Sequence, residues 1–313
     1  MKAFERCPAC DGPHLAQRGT AADVEGYQSE PFALLRCASC GLVCASPFLD
    51  DDEAAPYYDA PFYGSPGVVG TRLQRKFLTW RAHRLAAHVR PPARVLDVGC
   101  GDGGFLCELR QRGYRVVGYE PSAAGRASAR ARGLDVRGDL DHDENSVDAV
   151  TLWQVLEHVS DPHSLLTKVT RALSPSGVLL VSVPNFGSAQ ARVFGDRWFH
   201  LDVPRHVLHF DARSLDALLS RHGFHVIASS TRSLEYNVFG LVQSALNALP
   251  TKKNALYRVV KRGAPVKSFD PATRLAVTAS LACLPALAAA AGAIGVVEEA
   301  LGNGATLTVV ARR

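Results

Sequence analysis

The stretch 95–105 reads V-L-D-V-G-C-G-D-G-G-F, and it constrains the fold more than any other part of the chain. Buried-type residues run straight into glycines, and a helical pattern follows over 105–112. That order specifies a strand, a tight turn and the start of a helix. Gly99, Gly101 and Gly103 allow a sharp turn and leave room for a ligand to approach the backbone. The helix that follows offers unpaired N–H groups at its start, which suits the polar part of a nucleotide-like ligand. The glycines alone do not choose the ligand, because Gly99, Gly101 and Gly104 also fit the dinucleotide fingerprint.

Around this unit the chain alternates strands with helices. Strands are expected at 115–120, 135–140, 146–153, 178–183, 224–230 and 305–310. Ser122 is placed to cap one helix, and Asp161-Pro162 to start another. A third helix is expected over 211–222, and one before the first strand buries Leu78, Ala82, Leu85 and Val89 on one face. The expected fold is α/β, a doubly wound, Rossmann-like sheet of seven strands. Its domain divides as 93–232 plus a last strand in 304–313. An aromatic linker or lid with a helix precedes it over 47–92, and a helical apolar insertion fills 233–303.

The N-terminus carries a different signal. Cys7-Pro-Ala-Cys10 and Cys37-Ala-Ser-Cys40 are two C-x-x-C pairs, and four converging thiolates are what tetrahedral Zn²⁺ requires. A small structural zinc ribbon over 1–46 is therefore expected, with Cys7, Cys10, Cys37 and Cys40 as ligands. Cys44 lies nearby but reads as a core residue. Met1–Cys7 shows no apolar leader, so a cytoplasmic location is expected, where thiols bind metal more readily than they form disulfides. With 47% hydrophobic and 21% charged residues and a net charge of +5, the chain lacks the dense basic stripe of a nucleic-acid binder. Nucleic acid is not the expected partner.

Two acids separate the ligand classes. Glu120 ends the second strand of the sheet about 20 residues past the glycines, where a carboxylate can accept from both ribose hydroxyls. Asp97 lies inside the first strand, two residues before Gly99. A carboxylate there is costly to bury without a cationic or donor partner. A pyrophosphate would repel it, whereas an ammonium or a sulfonium would suit it.

Together these motifs resemble the class I S-adenosylmethionine-dependent methyltransferases, over about 93–232 and the final strand. Leu96-Asp97-Val98-Gly99-Cys100-Gly101 resembles their first motif, and Tyr119-Glu120-Pro121 their ribose-binding acid. Gly138-Asp139-Leu140 is similar to the adenine-contacting segment, and Trp153-Gln154-Val155-Leu156-Glu157-His158-Val159 to the fourth-strand motif. The resemblance implies S-adenosylmethionine as cofactor, bound by Asp97, Gly99, Cys100, Gly101, Glu120, Pro121, Asp139, Leu140 and Gln154. It also implies that the last strand runs antiparallel.

Methyl transfer is an in-line displacement. The protein aligns the reactants and deprotonates an acceptor that is not already nucleophilic. The expected general base is His206, in a segment, 198–210, that also carries His200 and His209. His158 is a second candidate, although it and Glu157 also fit a loop-ordering role. The expected acceptor is a small molecule, sugar or glycan-lipid, methylated on oxygen. A ribosomal-RNA methyltransferase with a zinc ribbon and a non-catalytic zinc-scaffolded binding protein are the competing readings. In the insertion, basic residues from Lys252 to Arg274 precede an almost wholly apolar run, 275–297. Two readings stay open: buried helices at a homodimer interface, or a membrane-surface contact through 252–297 that makes the protein peripheral at a membrane.

Overall fold

The strand, turn and helix expected at 95–112 form in the middle of a seven-stranded sheet. In a computed structural model, residues 1–49, 51–58, 68–140 and 144–313 are described, and the chain divides into two compact units. A sheet unit comprises Ser65–Val183, Asp216–Ser229 and Thr308–Arg313, and a ribbon unit comprises Met1–Gly64, Pro184–Leu215 and Ser230–Leu307.

In chain order the strands are β1 (Leu15–Ala21), β2 (Phe32–Cys37), β3 (Val43–Ser46), β4 (Arg94–Val98), β5 (Arg115–Tyr119), β6 (Val136–Arg137), β7 (Val147–Trp153), β8 (Leu173–Pro184), β9 (Leu208–His209), β10 (His225–Ser230) and β11 (Thr306–Arg312). The helices are α1 (Asp51–Ala54), α2 (Val68–Ala86), α3 (Gly104–Gln111), α4 (Ala123–Ala131), α5 (Pro162–Ala172), α6 (Ala189–Phe194), α7 (Ala212–Arg221), α8 (Leu234–Asn247), α9 (Ala255–Arg262), α10 (Pro271–Ala282) and α11 (Leu284–Ala300).

The large sheet has the order β10-β11-β8-β7-β4-β5-β6. β4 pairs in parallel with β5 and β7, β5 with β6, and β7 with β8. Ser182 Oγ meets Thr308 Oγ1 at 3.0 Å, while Asn185 N donates to Ala305 O at 2.8 Å. Residue numbers thus fall along β11 as they rise along β8, an antiparallel pairing, and the sheet is of mixed orientation. Val95, Leu96, Val98, Ala149, Val150, Leu152, Leu179, Leu180 and Val181 are buried, as strands covered by helices on both faces require.

The helix signals hold. Ser122 caps α4 by accepting from Gly125 N, and Asp161 caps α5 by accepting from Ser164 N, with Pro162 in the first turn. Two boundaries differ from expectation. β6 has two residues, because this edge strand pairs only at Gly118↔Val136 and Tyr119↔Arg137. β8 begins at Leu173, directly after α5, and absorbs the early start through a register shift opposite Val147 and Ala149.

In the ribbon unit, β1, β2 and β3 form an antiparallel ribbon, and β9 adds a fourth strand through Val43↔His209 and Cys44↔Leu208. Phe32, Leu34, Val43 and Ala45 pack with Trp198, Leu201 and Val203 in its core. Tyr57 is buried and its hydroxyl donates to Asp23 Oδ2 at 2.7 Å. From residue 59 to 67, the aromatic stretch expected to act as a linker or lid lies outside the described residues. The apolar run 275–297 forms most of α10 and α11, which are bent by 76° where they join. α11 buries Ala291, Gly295 and Glu298, a stripe at helical spacing. Its outer side is exposed within the single chain.

Candidate functional site

The parallel register aligns the carboxyl ends of four strands. Val98 pairs with Tyr119 and with Leu152, and Tyr119 pairs with Arg137. Gly99, Glu120, Gly138 and Trp153 are therefore the next residues on neighbouring strands, at the edge where a doubly wound sheet binds its ligand.

The loop after β4 is held from beneath by its own neighbours. Gly99 N and Cys100 N both donate to Tyr119 O, at 2.8 and 3.0 Å. Gly103 caps α3 with φ +77°, and a Cβ there would overlap Leu134 Cδ1, so this glycine lets the loop pack on α4 and the chain after it. Gly101 has φ +57°, and among the described residues no atom lies within 4 Å of where a Cβ would be. One glycine is needed for packing, and the other faces open space.

Glu120 is buried, and its carboxylate organises both turns. Oε2 accepts from Gly101 N at 2.9 Å and Oε1 from Ser122 N at 2.9 Å. A carboxylate offers about four lone-pair directions, and these two backbone donors hold it in place at the strand end. Arg126 Nη1 fastens the turn from outside by donating to Glu120 O and Pro121 O, at 2.9 and 2.6 Å. Pro121 thus lies directly between the acid and the cap of α4.

Asp97 is buried on β4 and accepts from Thr151 Oγ1 of β7 at 2.6 Å. Burial pushes its carboxyl up to about 7, against the Thr151 hydrogen bond and the charge of Arg81, which favour ionisation; the nearby charge of Glu120 adds to the rise. A carboxyl poised in this way favours a cationic ligand group, which would stabilise its ionised form. Gln154 ends β7 with φ +55°; its backbone N–H donates to Ser182 O at 2.8 Å and its side chain to Ser182 Oγ at 3.3 Å. Leu140 is buried just past β6 and Asp139 is exposed. Cys100 is buried, and its thiol is pushed well up by that burial.

Sequence reasoning placed these acids and glycines but missed Thr151 and Arg126. Thr151 lies 54 residues from Asp97. Its only local signal is a hydroxyl inside the apolar run V-D-A-V-T-L-W.

The two proposed bases fall in different units. His158 closes a single helical turn, Leu156–His158, just beyond Gln154, and is half-buried. His206 is buried in the ribbon unit, with Nδ1 2.8 Å from His200 O. A carbonyl only accepts, so Nδ1 carries the proton and Nε2 the lone pair. Burial holds His206 down to about 4, and His200 and His209 likewise. All three imidazoles are neutral at pH 7. Asp202 lies 3.8 Å from His206 Nε2 and pairs with Arg205, which in turn reaches Glu25 at 2.6 Å. Arg258 and Arg262 close on the same Glu25 at 2.7 and 3.0 Å. This buried ion network orders the histidine segment, and it had no signature in the sequence.

The four ribbon cysteines converge. Their sulfurs all lie within 4.8 Å of one another, with Cys7 to Cys40 and Cys10 to Cys37 each at 3.5 Å. Tetrahedral thiolates at about 2.3 Å from a zinc ion place sulfurs on the order of 3.8 Å apart, so the donor set fits Zn²⁺. Each pair sits in a tight turn: Asp11 N donates to Cys7 O and Gly41 N to Cys37 O, at 2.8 and 3.0 Å. Cys44 points elsewhere, its thiol 3.7 Å from Leu35 O.

Residues 70–229 match the family model described as a methyltransferase domain. A ubiquinone biosynthesis O-methyltransferase from Hahella chejuensis is 37% identical over 147 residues, which are 43% of this chain and 59% of that protein. The chain thus spans little more than half of that relative. A protein from Mycolicibacterium smegmatis, named as a probable S-adenosylmethionine-dependent methyltransferase, is 34% identical over 187 residues, 56% of this chain and 70% of the relative. A crystal structure from Galdieria sulphuraria, described as a candidate sarcosine dimethylglycine methyltransferase, superposes with a TM-score of 0.52 at 15% identity. It covers 84% of this chain and 98% of its own, a likeness of fold.

Proposed function

Because the chain belongs to the class I S-adenosylmethionine-dependent methyltransferases, we propose that it methylates a hydroxyl oxygen of a small-molecule acceptor, a sugar or glycan-lipid among the candidates. The observation that carries the cofactor half of this reading is the pairing of two buried acids at adjacent strand ends, Asp97 and Glu120. In this reading Glu120, held by Gly101 N and Ser122 N, accepts from the ribose hydroxyls. Asp97 suits the ammonium of the amino-acid tail. Among the described residues nothing fills the space beside Gly101, which supports a ligand at this loop. Asp139, Leu140 and Gln154 complete the cradle in this reading.

When bound, S-adenosylmethionine supplies a methyl group on a positively charged sulfur. The chain's own work is to align the acceptor, exclude water and take up the acceptor's proton. His206 is the proposed base. It is neutral at working pH, and its Nδ1–H is fixed on His200 O, which orients the ring. The chain enters the segment that carries it from the carboxyl end of β8. His158 is the alternative base. The name of the Hahella relative supports oxygen as the target. Zn²⁺ on Cys7, Cys10, Cys37 and Cys40 braces the ribbon; four thiolates fill its tetrahedral shell, so it is structural. A cytoplasmic location is part of the same reading.

Transfer of labelled methyl from S-adenosylmethionine to a panel of hydroxylated and aminated acceptors tests the proposal. His206→Ala is expected to lower kcat about 10²–10⁴-fold while leaving cofactor affinity unchanged. Exclusive labelling of nitrogen acceptors would overturn the oxygen assignment, and an unchanged kcat would remove His206 as base.

A further inference from the structure

A helix that is apolar on every side has to be covered on every side. Between Arg274 and Glu298 the chain carries no charged residue, and α10 and α11 are built from this stretch. The protein covers one stripe, with Thr273, Val277 and Ser280 of α10 and Ala291, Gly295 and Glu298 of α11 buried. On the uncovered side stand Leu275 at 73% exposure, Ile294 at 49%, Val296 at 61%, Val297 at 58% and Leu301 at 69%. Single exposed leucines are ordinary, but a run of them along two consecutive helices marks a contact surface.

The structure also limits the occupant. No single helix among the described residues is long and apolar enough to cross a membrane, and the two that qualify together are bent by 76°. α11 is about 25 Å long at 1.5 Å per residue, and one stripe of it is fixed within the ribbon unit. The chain then returns directly into β11, in the interior of the large sheet. The pair therefore lies on a surface and does not span. Charge decides which surface. Residues 252–297 hold seven lysines and arginines and one acid, Asp270; Arg258 and Arg262 pair with Glu25 and Lys253 with Asp196, while Lys252, Lys261, Lys267 and Arg274 are exposed. A second copy would bring the same excess of positive charge to the contact. Anionic lipid headgroups complement it, and acyl chains cover the leucines and valines.

We propose that α10 and α11 dock the protein flat on an anionic bilayer surface, with Leu275, Ile294, Val296, Val297 and Leu301 entering the headgroup–acyl boundary and Lys252, Lys261 and Lys267 contacting headgroups. This inference rests on the helices alone and does not depend on the identity of the methyl acceptor.

Co-sedimentation of the full chain with vesicles tests it. Binding is expected to phosphatidylglycerol-containing vesicles and to be at least about tenfold weaker on pure phosphatidylcholine or at high salt. Leu275→Asp, Ile294→Asp and Val297→Asp combined should abolish binding to both lipids. Lys252→Gln, Lys261→Gln and Lys267→Gln combined should weaken only the anionic case. Binding of S-adenosylhomocysteine by each variant, measured in parallel, reports an intact fold and keeps this test separate from the methyltransferase reading. Sedimentation of the native chain that is no greater with vesicles than without would overturn the proposal. So would undiminished binding by the aspartate variant, or a dimer that the aspartate variant dissolves, which would assign the surface to a second copy.

Discussion

The proposed cofactor cradle and the histidine segment are both buried and polar, yet they are built by opposite means. In the cradle, backbone N–H groups and strand ends do the positioning: Gly99, Cys100, Gly101 and Ser122 donate to Tyr119 O or to Glu120. In the histidine segment, side chains hold side chains through Arg205, Asp202, Glu25, Arg258 and Arg262. A site made by backbone follows from local sequence, and so it can be read in one stretch. A site made by long side chains from distant segments exists only after folding. Glu25 and Arg205 are 180 residues apart.

The ribbon unit should be the more fragile, and metal removal exposes this most strongly. Stripping Zn²⁺ with a chelator, or Cys37→Ser, is expected to abolish cooperative order in β1 to β3, since zinc contributes on the order of 10 kcal/mol to small ribbons. The large sheet should keep its circular dichroism and its melting transition. Atomic absorption showing no zinc in the native protein, with β1 to β3 still protected from hydrogen exchange, would break this part of the comparison.

Acid should also separate the two units, with opposite signs. His200, His206 and His209 are held down to about 4 in the fold. Their contribution is complete above about pH 6.5 and is lost as pH falls toward 4, on the order of 1–2 kcal/mol each at pH 5. Asp97 is raised from 3.8 to about 7. It binds a proton more tightly folded than unfolded, so its contribution is present below about pH 4 and is lost as pH rises through 7. Between pH 7.5 and 5, exchange protection should fall in the segment carrying the histidines and rise around β4. Asp97→Asn should remove the second change and leave the first.

Within the cradle, two glycines sharpen the contrast between packing and ligand space. Gly103→Ala meets Leu134 and a left-handed φ, and is expected to cost about 2–4 kcal/mol of stability. Gly101→Ala costs about 1–2 kcal/mol for the conformation alone, but its methyl projects into the space assigned to the ligand. Its loss of cofactor affinity should exceed its loss of stability, as thermal melts with and without S-adenosylhomocysteine would show.

The same division explains what the sequence revealed. Asp97, Glu120, the glycine loop, the caps at Ser122 and Asp161 and the C-x-x-C pairs are local patterns, and each falls in the element expected of it. Thr151 beneath Asp97 depends on a pairing across 54 residues, and β9 beside β3 on the distant pairs Val43↔His209 and Cys44↔Leu208, which no short pattern encodes. At α10 and α11 the apolar run was legible, but which face the fold covers was not: among the described residues only one stripe of each helix is buried, and Leu275, Ile294, Val296 and Val297 stay exposed.

The central claim is that Asp97 and Glu120 grip an adenosyl amino-acid ligand, and calorimetry tests it most directly. The account predicts that the native protein takes up S-adenosylhomocysteine and that Glu120→Ala weakens that uptake by about 1–3 kcal/mol. Uptake of a nicotinamide dinucleotide in its place, or an affinity for S-adenosylhomocysteine indifferent to Glu120→Ala, would contradict it.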